Sequence, residues 1–332
     1  MKIIVDAFGG DNAPLEIIKG CAESVAKFGV DIILTGKESE IREVAAQNNI
    51  SLDRIEIEDC DEVITMHDSA ESVVKTKKDS SMAVGFRLLA QGKGDAFLSA
   101  GNSGALCVGA TLLIKRIKGI KRPAFAPVLP SVTGCLMLLD GGANVDCRPE
   151  MLRQFAVMAS VYMEKVMKVD NPRIGLANVG TEEHKGTELY RETYGILKDS
   201  KLNFIGNIEG RDVPTGKCDV VVCDGFTGNM ILKTYEGVAA VLMKEIKNIF
   251  TGSAKGKMAA ALVMKDLKSM KTRFDYNTYG GAPILGASKP VFKVHGDAKA
   301  ITLVNAIGLC IDYVEANAID VISAALKAIP HN

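Results

Sequence analysis

Short apolar runs recur along the chain, and most empty into a loop carrying glycine together with aspartate or asparagine. Residues 3–5, 31–34, 54–57, 96–98, 174–177, 203–205, 220–222 and 291–294 have the length and composition of strands, and 124–139 holds two more joined by a turn at Pro130 to Gly134. Apolar positions 17, 18, 21, 22 and 25 behind Pro14 repeat at helical spacing. Helices are likewise predicted over 38–47, from about Pro149, over 187–197 and 228–249, and as one long segment over 298–328. Strands that alternate with helices predict an α/β fold with a parallel or mixed sheet flanked by helices.

Six strand-end loops share the glycine and Asp/Asn signature, beginning at residues 6, 99, 140, 178, 206 and 224. Ligands of α/β sheets bind outside the carboxyl ends of the strands, so these loops are expected to converge on one crevice. The stretch CDGFTGN, 223–229, runs a strand into a helix start, where free N–H groups and the helix dipole suit an anion. A plain βα turn would use the same residues. The polar stretch 59–80 reads as a surface excursion or mobile segment, with His67 a solvated loop histidine, and YNTYGGAPILG at 276–286 as another glycine-rich loop.

Composition narrows the function classes. Forty basic residues balance forty acidic ones, so nothing global recruits nucleic acid. Eight cysteines show no C-x-x-C spacing, which favours reduced thiols over disulfides or a metal site and makes a reducing cytoplasm the default compartment. No signal peptide or run of ~20 apolar residues is present. Residues 244–273 stand apart, with eight basic residues against Glu245 and Asp266 and apolar residues between them. Gly252 and Gly256 suggest two helices joined at a tip, which would suit an anionic bilayer, an acidic partner or packing on a sister subunit. The signatures of a P-loop, a dinucleotide-binding turn after the first strand, a serine-hydrolase elbow and a zincin helix are all missing.

DAFGGDNAP, SAGNSGA, LDGGAN, NVGTEEHKGTE, GNIEGRD, CDGFTGN and YGGAPILG, in this order, resemble the PlsX phosphate acyltransferase family of bacterial phospholipid synthesis. Phe8, where that family often has Met, and His184 in a variable slot are minor departures. The resemblance implies a three-layer αβα sandwich with a mostly parallel sheet, like that of isocitrate dehydrogenases and phosphotransacetylases. The lack of a linker rich in Pro, Gly or Ser separately predicts one domain over 1–332 with the 244–273 hairpin protruding. The reaction implied is transfer of a fatty acyl group from acyl carrier protein to inorganic phosphate, without a cofactor, feeding a glycerol-phosphate acyltransferase. A homodimer attached peripherally to the inner face of the cell membrane is implied as well.

Phosphate can attack a thioester without a strong base, and a thiol of pKa about 8.5 leaves with little acid assistance, so positioning and oxyanion stabilisation would carry the rate. Within the matched motifs, Lys185 and Arg211 are the candidate cations for phosphate. Asn102, Asn178, Asn207 and Asn229 are candidate donors, with Asp224, Glu183 and Glu209 orienting them. Asp6, Gly9, Gly10, Ser103, Asn144, Thr227, Gly280 and Gly281 complete the expected binding set. His295 is a candidate general acid or phosphate donor, or a satisfied histidine at a strand end. Lys257, Leu262, Val263, Met264 and Lys265 are the expected membrane or carrier-protein contacts. Rival readings are a phosphate acetyl- or butyryltransferase acting on acyl-CoA, a nicotinamide-dependent decarboxylating dehydrogenase, and a scaffold without turnover.

Overall fold

The computed structural model describes residues 1–274 and 279–328. Its strands divide between two sheets rather than forming one. β1 (Lys2–Asp6), β2 (Asp31–Gly36), β3 (Ile55–Asp59), β4 (Ala96–Ser99), β5 (Ala124–Phe125), β11 (Gly281–Leu285) and β12 (Val291–Val294) form a seven-stranded sheet in the order β3-β2-β1-β4-β12-β11-β5. β6 (Val128–Ser131), β7 (Gly134–Leu139), β8 (Ile174–Ala177), β9 (Phe204–Ile208) and β10 (Val220–Val222) form a five-stranded sheet in the order β6-β7-β10-β8-β9. Pairing is parallel except where β11 meets β12 and β5 and where β6 meets β7.

The helices that cover these sheets, α2 (Glu38–Gln47) and α6 (Glu188–Lys198) among them, explain why the strands read as unbroken apolar runs. In β1, Ile3 and Val5 enter one core cluster with α1 (Leu15–Phe28) and α9 (Ala300–Glu315). Ile4 between them enters a second cluster beneath α3 (Ser81–Ala90) and α4 (Ser103–Gly109). Strands buried on both faces lose the alternation of a half-exposed sheet. The larger cluster continues through α5 (Pro149–Lys165) onto the inner face of the second sheet, at Leu139, Leu176 and Val222, so a shared core joins the two sheets. The α/β class and flanking helices expected from the sequence are those observed.

Four details differ from expectation. The final helix is two, α9 and α10 (Ala318–Lys327), because Asn317 takes a left-handed conformation at φ 50° that ends the helical ladder. The polar stretch 59–80 is anchored: Ile64 and Val73 are buried in the core under α3, and Ser72 is buried with them. Part of the anticipated 276–286 loop is β11, while 276–278 lie outside the described residues. The basic hairpin is built from α7 (Gly225–Thr251) and α8 (Ala254–Arg273), which break at Gly252-Ser253, and Gly256 falls inside the first turn of α8 with its N–H held by Ser253 Oγ. Among the described residues no helix is long and apolar enough to cross a membrane.

Candidate active site between the two sheets

The loop after β1 is clamped to the loop after β12. Asp6 is buried, accepting from Ser99 Oγ at 2.6 Å and from Phe8 N at 3.2 Å, and burial raises its pKa. Gly10 turns at φ 101°, where a Cβ would lie 2.9 Å from the Gly296 carbonyl oxygen. The next residue donates Asp11 N to that same carbonyl at 2.7 Å. Only glycine fits so close a backbone approach in that region of φ. Gly9 packs as tightly, with a virtual Cβ 2.6 Å from Gly101 N of the loop after β4.

The start of α4 is tied down from outside the sheet. Asn102 Oδ1 caps the helix by accepting from Ala105 N at 3.1 Å, and its Nδ2 donates to the carbonyls of Thr65 and Asp68 at 3.2 and 3.0 Å. That pairing orders the 59–80 stretch and brings Met66 and Ala70 onto the site.

From the five-stranded sheet, Asp140 organises the loop after β7. Its fully buried carboxylate accepts from the backbone N–H groups of Phe125, Gly142, Ala143 and Asn144 and from Asn144 Nδ2. Burial raises its pKa against the pull of those donors. Asp224 caps α7: Oδ1 accepts from Thr227 N at 2.9 Å, and Oδ2 accepts from Thr227 Oγ1 at 2.9 Å and Tyr190 OH at 2.5 Å. These bonds make Asp224 a residue that positions the helix start.

Where the two sets of loops face each other lies a cleft of about 540 Å³. Its lining takes residues from both sheets, including Asp11, Ser103 and Lys293 on one side and Gly142, Asn229 and Lys233 on the other. Four of the six anticipated loops, those beginning at 6, 99, 140 and 224, thus frame one crevice at strand carboxyl ends, closed by Gly280 and Gly281 at the start of β11 and by His295 after β12. The loops at 178 and 206 do not line it.

Ser103, Asn229, Gly280, Gly281 and His295 of the anticipated binding set reach the cleft lining. Asp6, Gly9, Gly10, Asn102, Asn144, Asp224 and Thr227 stand behind it as loop supports. The remaining group does not line the cleft; its loops follow β8 and β9, the last two strands of their sheet. Lys185 is exposed, with no side-chain ion pair among the described residues. Arg211 pairs with Glu209, its side chain 80% exposed. Glu183 binds Lys198 and Tyr194, Asn178 donates to the Lys185 carbonyl, and Asn207 donates to that of Glu182.

The residue that sequence reasoning missed is Lys293. It is buried to 7% exposure on β12, in register with Ser99 of β4 and Ala282 of β11. Its Nζ donates to the Ala100 carbonyl at 3.0 Å and to the Val294 carbonyl. Burial, then the Lys233 charge, brings its pKa down to about 8. The signal was a lone lysine inside the apolar strand VFKV. Lys233 is paired with Glu236 at 2.8 Å, and His295 Nδ1 lies 2.6 Å from Asp297 Oδ1. Cys107, also in the lining, has its thiol pushed up to about 12 by burial, so it offers no thiolate nucleophile near neutrality. The arrangement combines an apolar wall, a buried cation and closely set loop backbone, a combination suited to an anion reacting with an acyl compound.

Comparison with known proteins agrees with this fold. A family described as "Fatty acid synthesis protein" matches residues 1–321. The phosphate acyltransferase of Caldanaerobacter subterraneus is 50% identical over 308 residues, 92% of each chain. That of Acetivibrio thermocellus is 46% identical over 321 residues, covering 96% of this chain and 95% of its own. Among solved structures, a phosphotransacetylase from Streptococcus pyogenes superposes with a TM-score of 0.64 at 17% identity, covering 96% of this chain and 94% of its own. A branched-chain phosphotransacylase from Enterococcus faecalis does so with a TM-score of 0.58 at 13% identity, covering 95% and 98%. These two likenesses establish the fold, whereas the full-length sequence identities place the chain within the phosphate acyltransferase family, the enzymes that transfer an acyl group to phosphate.

Proposed function

We propose that the chain transfers a fatty acyl group from the thioester of acyl carrier protein to inorganic phosphate, in the cleft between the two sheets, to supply acyl phosphate for phospholipid synthesis. The observation that carries this reading is the buried cation set in a largely apolar cleft. A phosphate oxygen attacks the thioester carbonyl carbon, a C–O bond forms, and the C–S bond breaks. The proton of the hydrogenphosphate passes to the departing sulfur, so charge and atoms balance without a covalent enzyme intermediate. His295, oriented by Asp297 through Nδ1, is placed to carry that proton across the cleft. Ser103, Asn229 and the 280–281 backbone contact substrate. Lys185, Arg211, Asn178, Glu183, Asn207 and Glu209 are given no step, because none lines the cleft.

The donor is assigned to a protein carrier on the strength of the α7–α8 hairpin. Its basic residues suit an acidic protein, and they extend from the same helix that walls the cleft. Leu262 is 84% exposed, and Met264 and Met258 are exposed on the same helix. This apolar surface set among lysines is read as the point of peripheral attachment to the anionic inner face of the membrane. Residues 1–332 are taken as one catalytic domain from which the hairpin protrudes, acting as a homodimer upstream of a glycerol-phosphate acyltransferase.

Trapping with hydroxylamine tests the reaction. With acyl carrier protein thioester and phosphate both present, enzyme-dependent acyl hydroxamate is expected to accumulate well above the slow direct reaction of hydroxylamine with the thioester; omission of phosphate abolishes that excess. Equal turnover of the coenzyme A thioester would move the assignment to a coenzyme A-dependent phosphotransacylase. Leu262→Asp is expected to lower co-sedimentation with anionic vesicles at least about fivefold while leaving turnover of soluble substrates unchanged. Undiminished sedimentation would remove the hairpin from the attachment model.

A further inference from the structure

We infer that Lys293 is a catalytic residue of this cleft, its ammonium group binding the attacking phosphate. The inference rests on the phosphate-acyltransfer reading and adds the identity of the anion's counter-charge.

An ammonium has three N–H groups, and two of those on Lys293 are taken by the carbonyls of Ala100 and Val294. The third is left for the cleft that the side chain lines. Neither partner carries a charge, and among the described residues no carboxylate lies within ion-pair distance of Nζ. The other lysine of the lining, Lys233, is already ion-paired with Glu236 at 2.8 Å. A cation buried without a counter-ion is costly, and a lysine serving only to fill that space would be better replaced by methionine. An arriving dianion supplies the missing counter-charge in a water-poor setting, where the interaction is strongest. The groups facing Lys293 are Asp6 on β1, Asp11 in the loop after it, Cys107 on α4 and Lys233 on α7. His295 and Asp297 lie in the loop that follows its own strand. Asp6 and Asp11 favour the charged form, while burial and Lys233 oppose it.

Three measurements on the full-length protein decide the matter. Lys293→Met is nearly isosteric and is expected to fold, as judged by an unfolding temperature no lower than that of the unsubstituted enzyme. Its kcat/KM for phosphate should fall about 100-fold. Its KM for the acyl donor should stay within about twofold. Titration with inorganic phosphate alone, followed by phosphorus NMR line-broadening, should show binding to the unsubstituted enzyme and its loss in the variant. In the unsubstituted enzyme kcat/KM for phosphate should decline as pH rises through about 8, as the free ammonium loses its proton. Lys293→Arg should recover part of the phosphate affinity and move that decline to higher pH, because guanidinium stays charged. Unchanged phosphate kinetics and binding in a folded Lys293→Met enzyme would overturn the inference. So would a loss confined to the KM of the acyl donor. Failure of the unsubstituted enzyme to form acyl hydroxamate would instead defeat the underlying reading, leaving the phosphate titration to judge Lys293 separately.

Discussion

Asp140→Ala is expected to lower the urea midpoint sharply at an unchanged m value, a loss of about 3–5 kcal/mol. One buried carboxylate accepts four backbone N–H groups and an asparagine amide. Alanine removes the acceptor that all of those donors share, and a buried donor without a partner costs about 1–3 kcal/mol. Relaxation of the loop recovers some of that cost but also releases Gly142 from Asn229, so acyl transfer should fall together with stability. Asp140→Asn is expected to fall between. An amide oxygen at the Oδ1 position keeps the bonds from Phe125, Gly142 and Ala143, while its NH2 group opposes Asn144 N. A variant with alanine at this position and an unaltered midpoint would show that the loop does not depend on the carboxylate.

The second large effect is expected from two glycines of one helix that should respond to the same change with opposite signs. A Cβ on Gly228 would lie 1.9 Å from the Asp140 carbonyl oxygen and 2.9 Å from Cys223 Sγ, so the first turn of α7 must retreat from the end of β7. Gly228→Ala should therefore destabilise by about 2–3 kcal/mol despite alanine's better helix propensity. A Cβ on exposed Gly237, nine residues along the same helix, meets nothing within 4 Å. Gly237→Ala should stabilise by about 0.5–1 kcal/mol through the backbone term alone. Thermal unfolding of both variants checks the pair; destabilisation by both, or by neither, would contradict the packing described.

The contrast shows where the sequence was informative. Strands buried on both faces and loops rich in glycine and asparagine are local properties, so Ile3 to Asp6 and Val220 to Asp224 could be read directly. Whether strands belong to one sheet or two depends on pairing between distant segments. β12 entering beside β4, far from it in sequence, has no local signature. The same limitation affected the site. Lys185 and Arg211 stand in loops of the right composition, but those loops follow β8 and β9, the last two strands of their sheet, and neither residue lines the cleft. Sequence reading had no means of ranking strand positions within the sheet. Lys293 was passed over for the opposite reason: it sits inside a strand rather than in a loop, and its burial follows only once α4 covers that face. The 59–80 stretch is polar because its backbone is held by side chains such as Asn102, and not because it is loose.

The 27 residues of α7 span about 40 Å. The end of this rod near the cleft is pinned by the Asp224 cap and by the contact of Gly228 with the Asp140 carbonyl. The pivot therefore sits beside the chemistry and the load at the far end. A sideways displacement of ~4 Å at the tip turns such a rod by about 6° about its pinned end. At Asn229, ~7 Å from the pivot, the same turn amounts to ~0.7 Å, and at Lys233, ~13 Å away, to ~1.3 Å. Mechanical disturbance at the hairpin thus reaches the cleft wall reduced several-fold, which lets the tip yield while the cleft wall keeps its registration.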